Sequence, residues 1–229
     1  MEKKENKIGK KVGIILLIFF IVFLILFFTK ILIMYGLESR VNHFAESSNY
    51  HIKTVAYSGD SITIAETYKK GEESLSLMRQ IAEDDIRKIT TYSNGNSANI
   101  YFDTNEDKVA ILNTTEIPMI SRIQNYLHTE NLGQFLLSVL RNSIRIEECN
   151  GKECYKIEGY FDNLLISGDN AKTTIYLEKS TGLPVRVLTG TEKTEEGEVS
   201  TFTDYWYEFD QVTASDLKEP DIYLYRVEE

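Results

Sequence analysis

Cysteine and histidine are scarce in this chain, at two and three of 229 residues, and their spacing provides poorly for metal or thiol catalysis. His43, His51 and His128 are scattered, and none belongs to an HExxH pair of the kind that places two imidazoles on one helix face. No GxSxG elbow and no phosphate-cradling P-loop occurs. Asp103, Asn105 and Asp107 resemble the start of a calcium loop, but Lys108 stands where the sharp turn needs glycine and Thr114 where a bidentate glutamate is needed. A hairpin tip accounts for them better. The expectation is a non-enzymatic protein with no cofactor and no metal.

Positive charge is also in deficit over most of the chain. Residues 1–36 hold six lysines and two glutamates, net +4, so the total of −10 leaves −14 for residues 37–229. Nucleic-acid phosphates and anionic headgroups repel such a body, which argues against nucleic-acid binding. The Glu192 to Glu198 segment reads as a solvated loop.

What the sequence does have is one long apolar run, Val12 to Tyr35, behind Lys3, Lys4, Lys7, Lys10 and Lys11. Twenty-four helical residues reach roughly 36 Å, past the roughly 30 Å hydrocarbon core. A cleaved signal peptide is the alternative, but the run exceeds the usual apolar length and no small-x-small site follows closely. A lipidated leader needs a cysteine directly after the run, and the first cysteine is Cys149. The basic flank favours a cytoplasmic N-terminus by the positive-inside rule. Residues 1–11 are thus expected to be a cytoplasmic basic segment and 12–35 a transmembrane signal anchor. Residues 36–48 continue it as a juxtamembrane helix, and 49–229 form one extracytoplasmic domain. Lys30, late in the run, is expected to snorkel toward headgroups.

After Ser47-Ser48-Asn49 the period changes from helical to alternating. Segments rich in Tyr, Ile, Val and Thr predict strands over 50–58, 61–70, 73–80, 86–93, 97–103 and 108–112, then 144–149, 154–161, 173–178, 184–188 and 199–209. Trp206 breaks the alternation of the last and reads as a partly exposed aromatic. Between the two blocks lies a helical insert. Pro118 opens a first run with Met119, Ile120, Ile123, Tyr126 and Leu127 on one face, and Leu132, Phe135, Leu136, Val139 and Leu140 share a face of a second. The fold class is mainly β (α+β), a curved antiparallel sheet or incomplete barrel of about eleven strands with two helices inserted on its concave side. The second helix is core packing or, alternatively, the lining of an apolar ligand cavity.

Cys149 and Cys154 frame Asn150-Gly151-Lys152-Glu153 in a hairpin, and the register decides their chemistry. A four-residue loop sets them directly opposite, at disulfide distance. A two-residue Asn150-Gly151 turn makes them diagonal neighbours, too far apart. An oxidising exterior favours the first, so a disulfide is expected, adding about 2 kcal/mol for so short a ring.

The stretch TTIYLEKSTGLPVRV, Thr173 to Val187, resembles the strand, turn and strand of the LolA-like lipoprotein-carrier superfamily. The closing YEFDQVTASDLKEPDIYLY, Tyr207 to Tyr225, resembles the end of its Gram-positive members. The resemblance implies an incomplete β-barrel whose concave face, closed by helices, holds acyl chains or a protein segment, and it extends to RseB-like sensors that bind a membrane partner. Residues 12–35 tether this chain to the lipid bilayer, so it cannot ferry cargo as soluble carriers do. The expected function is a membrane-anchored binding protein for a lipid, a lipoprotein acyl chain or a similar hydrophobic ligand. The alternative is a sensor or interaction module that recruits an envelope protein partner, for example by strand addition at a sheet edge.

Overall fold

The computed structural model describes residues 2–82, 85–115, 123–129, 131–159, 173–194 and 197–228. A single helix, α1 (Glu2–Ala45), runs from the basic flank through the apolar stretch and on into the folded body. Six strands follow as a meander: β1 (Asn49–Ser58), β2 (Ser61–Lys70), β3 (Glu73–Ala82), β4 (Asp85–Ser93), β5 (Ala98–Asp103) and β6 (Lys108–Thr114). After α2 (Leu132–Arg141) the second meander is β7 (Ser143–Cys149), β8 (Lys152–Gly159), β9 (Thr173–Glu178), β10 (Pro184–Thr194) and β11 (Gly197–Phe209). A short β12 (Arg226–Glu228) ends the described chain.

All twelve strands form one unclosed, curved sheet, in the order β12-β6-β5-β4-β3-β2-β1-β11-β10-β9-β8-β7. The two meanders join where β1 pairs antiparallel with β11, Tyr50 opposite Phe209 and Ile52 opposite Tyr207. Register shifts at Ala98/Ile100, Pro184/Arg186 and Leu188/Gly190 are bulges of the kind that bend strands and deepen a sheet's curvature. Pro184, which has no amide to donate, stands at the Pro184/Arg186 irregularity, where the ladder is already broken.

The main core lies between the helices and the second meander. Met34 and Leu37 of α1 and Phe135 and Val139 of α2 pack on Ile157, Ile175, Leu177 and Val187. Higher on α1, Val41 packs with Tyr50, Ile52 and Leu183. In the first meander the apolar packing moves to the other face. There Tyr68, Leu75 and Tyr92, a cross-strand row, meet Val212 and Leu217 of the segment after β11. That segment is a strap. Asn49 holds its start with paired bonds to Val212, 3.0 and 3.2 Å, and Glu219 accepts from Asn99 and Tyr101 farther along. The strap ends as β12, parallel to β6, Arg226 beside Val109.

Four expectations change. The cysteine pair is free, and no disulfide joins Cys149 to Cys154. Asn150 and Gly151 both take positive φ, 52° and 75°, so they form a tight two-residue turn with Cys149 opposite Lys152 and Glu147 opposite Cys154. Diagonal thiols cannot span a disulfide; both are buried instead with Val185 and Tyr176. Of the two expected helices, only α2 lies among the described residues. Met119 and Ile120 fall outside them, while Ile123, Tyr126 and Leu127 are buried in a non-helical stretch. The twelfth strand is additional, too short at three residues to show a period. Lys30 reaches protein rather than lipid, its Nζ donating to the Asn142 carbonyl at 3.0 Å. Trp206 is partly exposed on the outer face, as expected.

Candidate functional site

Two of the places that could hold a ligand lie on the helix-bearing face: α2 with its apolar seam, and an open cleft beyond the end of α1; a further cleft of about 570 Å³ lies beside Arg40, Tyr155 and Lys179. The two on the helix-bearing face are built differently.

Asn residues cap α2 at both ends. Asn131 Oδ1 accepts from the Gln134 amide at 3.0 Å, and the Asn142 amide donates to the Ser138 carbonyl at 3.0 Å while its Nδ2 donates to Ser138 Oγ at 2.9 Å. Asn142 is fully buried and fits only because Gly159 faces it: a Cβ there would lie 1.7 Å from Asn142 Oδ1. The five residues expected to share a face are divided by the packing. Phe135 and Val139 are in the core and Leu136 packs against its edge. Leu132 and Leu140 point outward, 71% and 52% exposed, together with Leu137 at 49%. Between α2, α1 and the second meander the apolar space is occupied by side chains.

The TGLP turn fixes α1 over the sheet. Gly182, at φ 75°, comes so close to the helix that a Cβ would lie 2.7 Å from the Leu37 carbonyl and 3.1 Å from Val41 Cγ2. Arg40 donates from Nη1 to the Lys179 carbonyl in the same turn. Thr181 Oγ1 and Lys152 Nζ both donate to Glu178 Oε2, at 2.8 and 3.1 Å. Burial alone would raise the Glu178 pKa, but these donors hold it below its ordinary value.

Beyond α1 lies a cleft of about 560 Å³, bordered by Tyr50, Lys69, Glu72, Ser74, Ser93 and Ile123. The register places Tyr50, Lys69, Ser74 and Ser93 in one cross-strand row on β1 to β4. The Lys69 ammonium lies over the Tyr50 ring, 5.6 Å from its centroid. Deeper along the same face, Thr67 Oγ1 and Ser76 Oγ are hydrogen bonded at 2.5 Å, and Thr67 and Thr91 are buried. The Tyr126 and Tyr205 hydroxyls, 2.7 Å apart, close the side toward the aliphatic core. Burial raises both phenol pKa values, so neither ionises at neutral pH. Burial likewise raises the thiol pKa values of Cys149 and Cys154, the latter to about 11, and leaves both poor nucleophiles.

The cleft residues were missed in the sequence reading, although a signal existed. Thr63, Ala65, Thr67 and Lys69, with Ser74 and Ser76 opposite, form a small and hydroxylated period-two face whose partner face carries the apolar residues. Among the described residues, no cluster of three or more His, Cys, Asp or Glu could hold a metal ion.

The architecture is the one that the LolA-like resemblance implies, an unclosed curved sheet with helices on one face. No family model matches the chain and no curated protein matches it. Among solved structures it is similar to an uncharacterized conserved protein from Thermus thermophilus, at 12% identity over 84% of this chain and 96% of that one, with a TM-score of 0.42. It is also similar to the Pseudomonas aeruginosa MucA/MucB complex, at 11% identity over 81% of this chain and 61% of the other, with a TM-score of 0.35. A LolA superfamily protein from Nitrosomonas europaea shows 10% identity over 81% and 97%, with a TM-score of 0.27.

Proposed function

We propose that the chain is a non-enzymatic, membrane-tethered binding module of LolA-like build, displayed outside the cytoplasm, whose cleft holds a short segment of an envelope protein. The observation that carries this reading is the difference in filling along the helix-bearing face. Aliphatic side chains occupy the space beneath α1 and α2, whereas the cleft of about 560 Å³ is open and mixed in character. Tyr50 and Ile123 offer apolar contact, Ser74 and Ser93 offer hydroxyls, and Lys69 and Glu72 offer one charge of each sign. That mixture suits a polypeptide with both side-chain and backbone groups better than it suits a bare acyl chain.

The test is a photocrosslinker at Glu72 or Lys69 in the full-length protein in its native membrane. Capture of one specific envelope protein supports the reading. Capture of lipid alone, confirmed by mass spectrometry of the extract, overturns it, and capture of lipid by the same crosslinker placed at Leu136 supports the second reading. In that second reading an acyl chain is lined by Leu132, Phe135, Leu136, Val139 and Leu140, and it is favoured by the outward Leu132 and Leu140. Phe135 and Val139 would then have to leave the core, so lipid binding would lift α2 from the sheet.

A further inference from the structure

We propose that the C-terminal end of α2 docks onto the surface of the bilayer that α1 enters, inserting Leu137 and Leu140 among the headgroup-proximal parts of the acyl chains of the leaflet on the domain's side. This rests on reading α1 as a membrane anchor, which its length and composition allow.

The level of the bilayer follows from α1. From Val12 through Phe23 the helix is exposed all round, and contact with the folded body starts only at Phe27, Ile31 and Met34. Lys11 and Lys30 bracket this segment about 28 Å apart along the helix axis, close to the roughly 30 Å thickness of the hydrocarbon core. The level of Lys30, the first charge after this run, therefore marks the boundary with the headgroups, its ammonium held there by the Asn142 carbonyl.

The position of α2 follows from two polar contacts. His128 Nδ1, ahead of α2, lies 3.4 Å from Glu38 Oε1, while the Asn142 carbonyl just after α2 accepts from Lys30 Nζ at 3.0 Å. Between these contacts α1 spans about 12 Å and α2 about 15 Å, so α2 runs back along α1 toward the membrane. Its last turn lies at the level of Lys30. The outward side chains there are Leu137 and Leu140, about half exposed, with Arg141 and Arg145 exposed beside them. Leu32 and Tyr35 of α1, just past Lys30, are exposed as well.

An apolar ridge flanked by arginines suits the interface, where leucines enter the acyl region and guanidinium groups meet phosphates. The body carries −14 over residues 37–229, so this basic end is the part an anionic leaflet attracts. The Lys30 ammonium also lies at the carbonyl end of α2, where the helix dipole favours a cation, and so fixes the docked helix to the anchor.

Depth-dependent quenching tests the proposal in the full-length protein, reconstituted in nanodiscs of phosphatidylcholine and phosphatidylglycerol. Single variants Leu137→Cys, Leu140→Cys, Ser180→Cys and Phe20→Cys are labelled with an environment-sensitive fluorophore. The buried Cys149 and Cys154 of the unmodified chain serve as the labelling blank. Labels at 137 and 140 should lose most of their fluorescence to lipids with a shallow spin label. The label at 180, by the turn that Arg40 contacts far up α1, should lose none, and the label at 20 should respond to deep quenchers. Quenching at 20 without quenching at 137 and 140 overturns the docking and leaves the anchor standing. No quenching at 20 overturns the anchor itself. Amide exchange of residues 137–141 in the unmodified chain supplies a reading free of substitution: it should be slower in nanodiscs than in detergent, and equal rates would count against docking.

Discussion

The two meanders share one sheet but set their main apolar clusters on opposite faces. In the second, β7 to β11, the core lies under the helices, where Ile157, Ile175, Leu177 and Val187 meet Met34, Leu37, Phe135 and Val139. In the first, β1 to β6, the helix-bearing face carries hydroxyls such as Thr67, Ser74, Thr91 and Ser93, and the apolar row Tyr68, Leu75 and Tyr92 packs outward under Val212 and Leu217 of the strap. Because side chains alternate along a strand, a change of buried face needs no change of backbone, only a shift in which residues of each pair are apolar. The exchange occurs at β1, where Tyr50 and Ile52 still pack beneath α1 while His51, on the other face, stacks on Tyr68 at 4.2 Å. A sheet sealed on its inner face at one end and on its outer face at the other keeps an inner surface at the second end that can be polar and open. The cleft lies there.

The asymmetry predicts unequal losses on truncation. Phe135→Ala should cost about 3–5 kcal/mol, since it opens a cavity in the larger cluster and removes one of the two buried side chains that hold α2 to the sheet. Leu75→Ala, in the smaller outer cluster, should cost about 2–3 kcal/mol. Denaturant midpoints of the full chain measure both, and a larger loss for Leu75→Ala would show that the strap, not the helix pair, dominates stability. Next in size is Gly182→Ala. Positive φ costs an L-residue about 1–2 kcal/mol, and the added methyl must push the Leu37 carbonyl away, so about 2–3 kcal/mol is expected. Faster proteolysis in 37–45 of this variant would show α1 lifting from the turn.

Much of this division could be read in the amino acids, and what could not has identifiable causes. The strands were legible because β-branched and aromatic residues alternate over five residues or more, and α2 because Leu132, Phe135, Leu136, Val139 and Leu140 repeat at helical spacing. The partition of those five was not legible: the spacing gives a face but not its width, and only the packing separates Phe135 and Val139 from Leu132 and Leu140. The cysteine register turned on Asn150-Gly151, the strongest two-residue hairpin signal in the chain, against an expectation drawn from compartment; the local turn chemistry prevailed. The strap escaped because its interactions are long-range side-chain bonds, such as Asn49 to Val212 and Tyr101 to Glu219, which leave no period. The end of the apolar run reads from hydropathy as a membrane span, yet Phe27, Ile31 and Met34 pack with the core, a use that hydropathy does not distinguish.

A smaller effect should come from the pair that fastens the outer face of the second meander. Arg186 donates to both carboxylate oxygens of Asp204, at 2.6 and 2.8 Å, and Asn150 Nδ2 donates to Asp204 as well, at 3.2 Å. Arg186→Ala leaves the buried Asp204 with a single neutral donor. The arginine is itself partly solvated, so the cost should fall short of a fully buried pair, about 2 kcal/mol by thermal unfolding. A loss below that of an ordinary surface substitution would show that water replaces the guanidinium, and that the outer face of this half contributes little.

Acid titration should give the smallest effect and compares the halves most directly, since each meander holds a depressed carboxylate among its described strand residues. In the first meander burial alone would raise the Glu66 pKa, but hydrogen bonds from Lys53 and Tyr68 hold it below the ordinary value of 4.5. In the second, Thr181 and Lys152 do the same for Glu178. A carboxyl with a lower pKa in the folded state than in the unfolded one adds stability that is complete above the unfolded value and is lost as pH falls through the folded value. Stability should therefore be level through neutrality and decline below about pH 4.5 as the unfolded chain takes up protons first. Glu66→Gln and Glu178→Gln should each flatten part of that decline while lowering the plateau. If the halves open independently, Glu178→Gln should alter the acid sensitivity of amide exchange only in β7 to β11, and Glu66→Gln only in β1 to β6. Changes in both halves from either variant would mean that the β1 to β11 seam makes the sheet one cooperative unit despite its two cores.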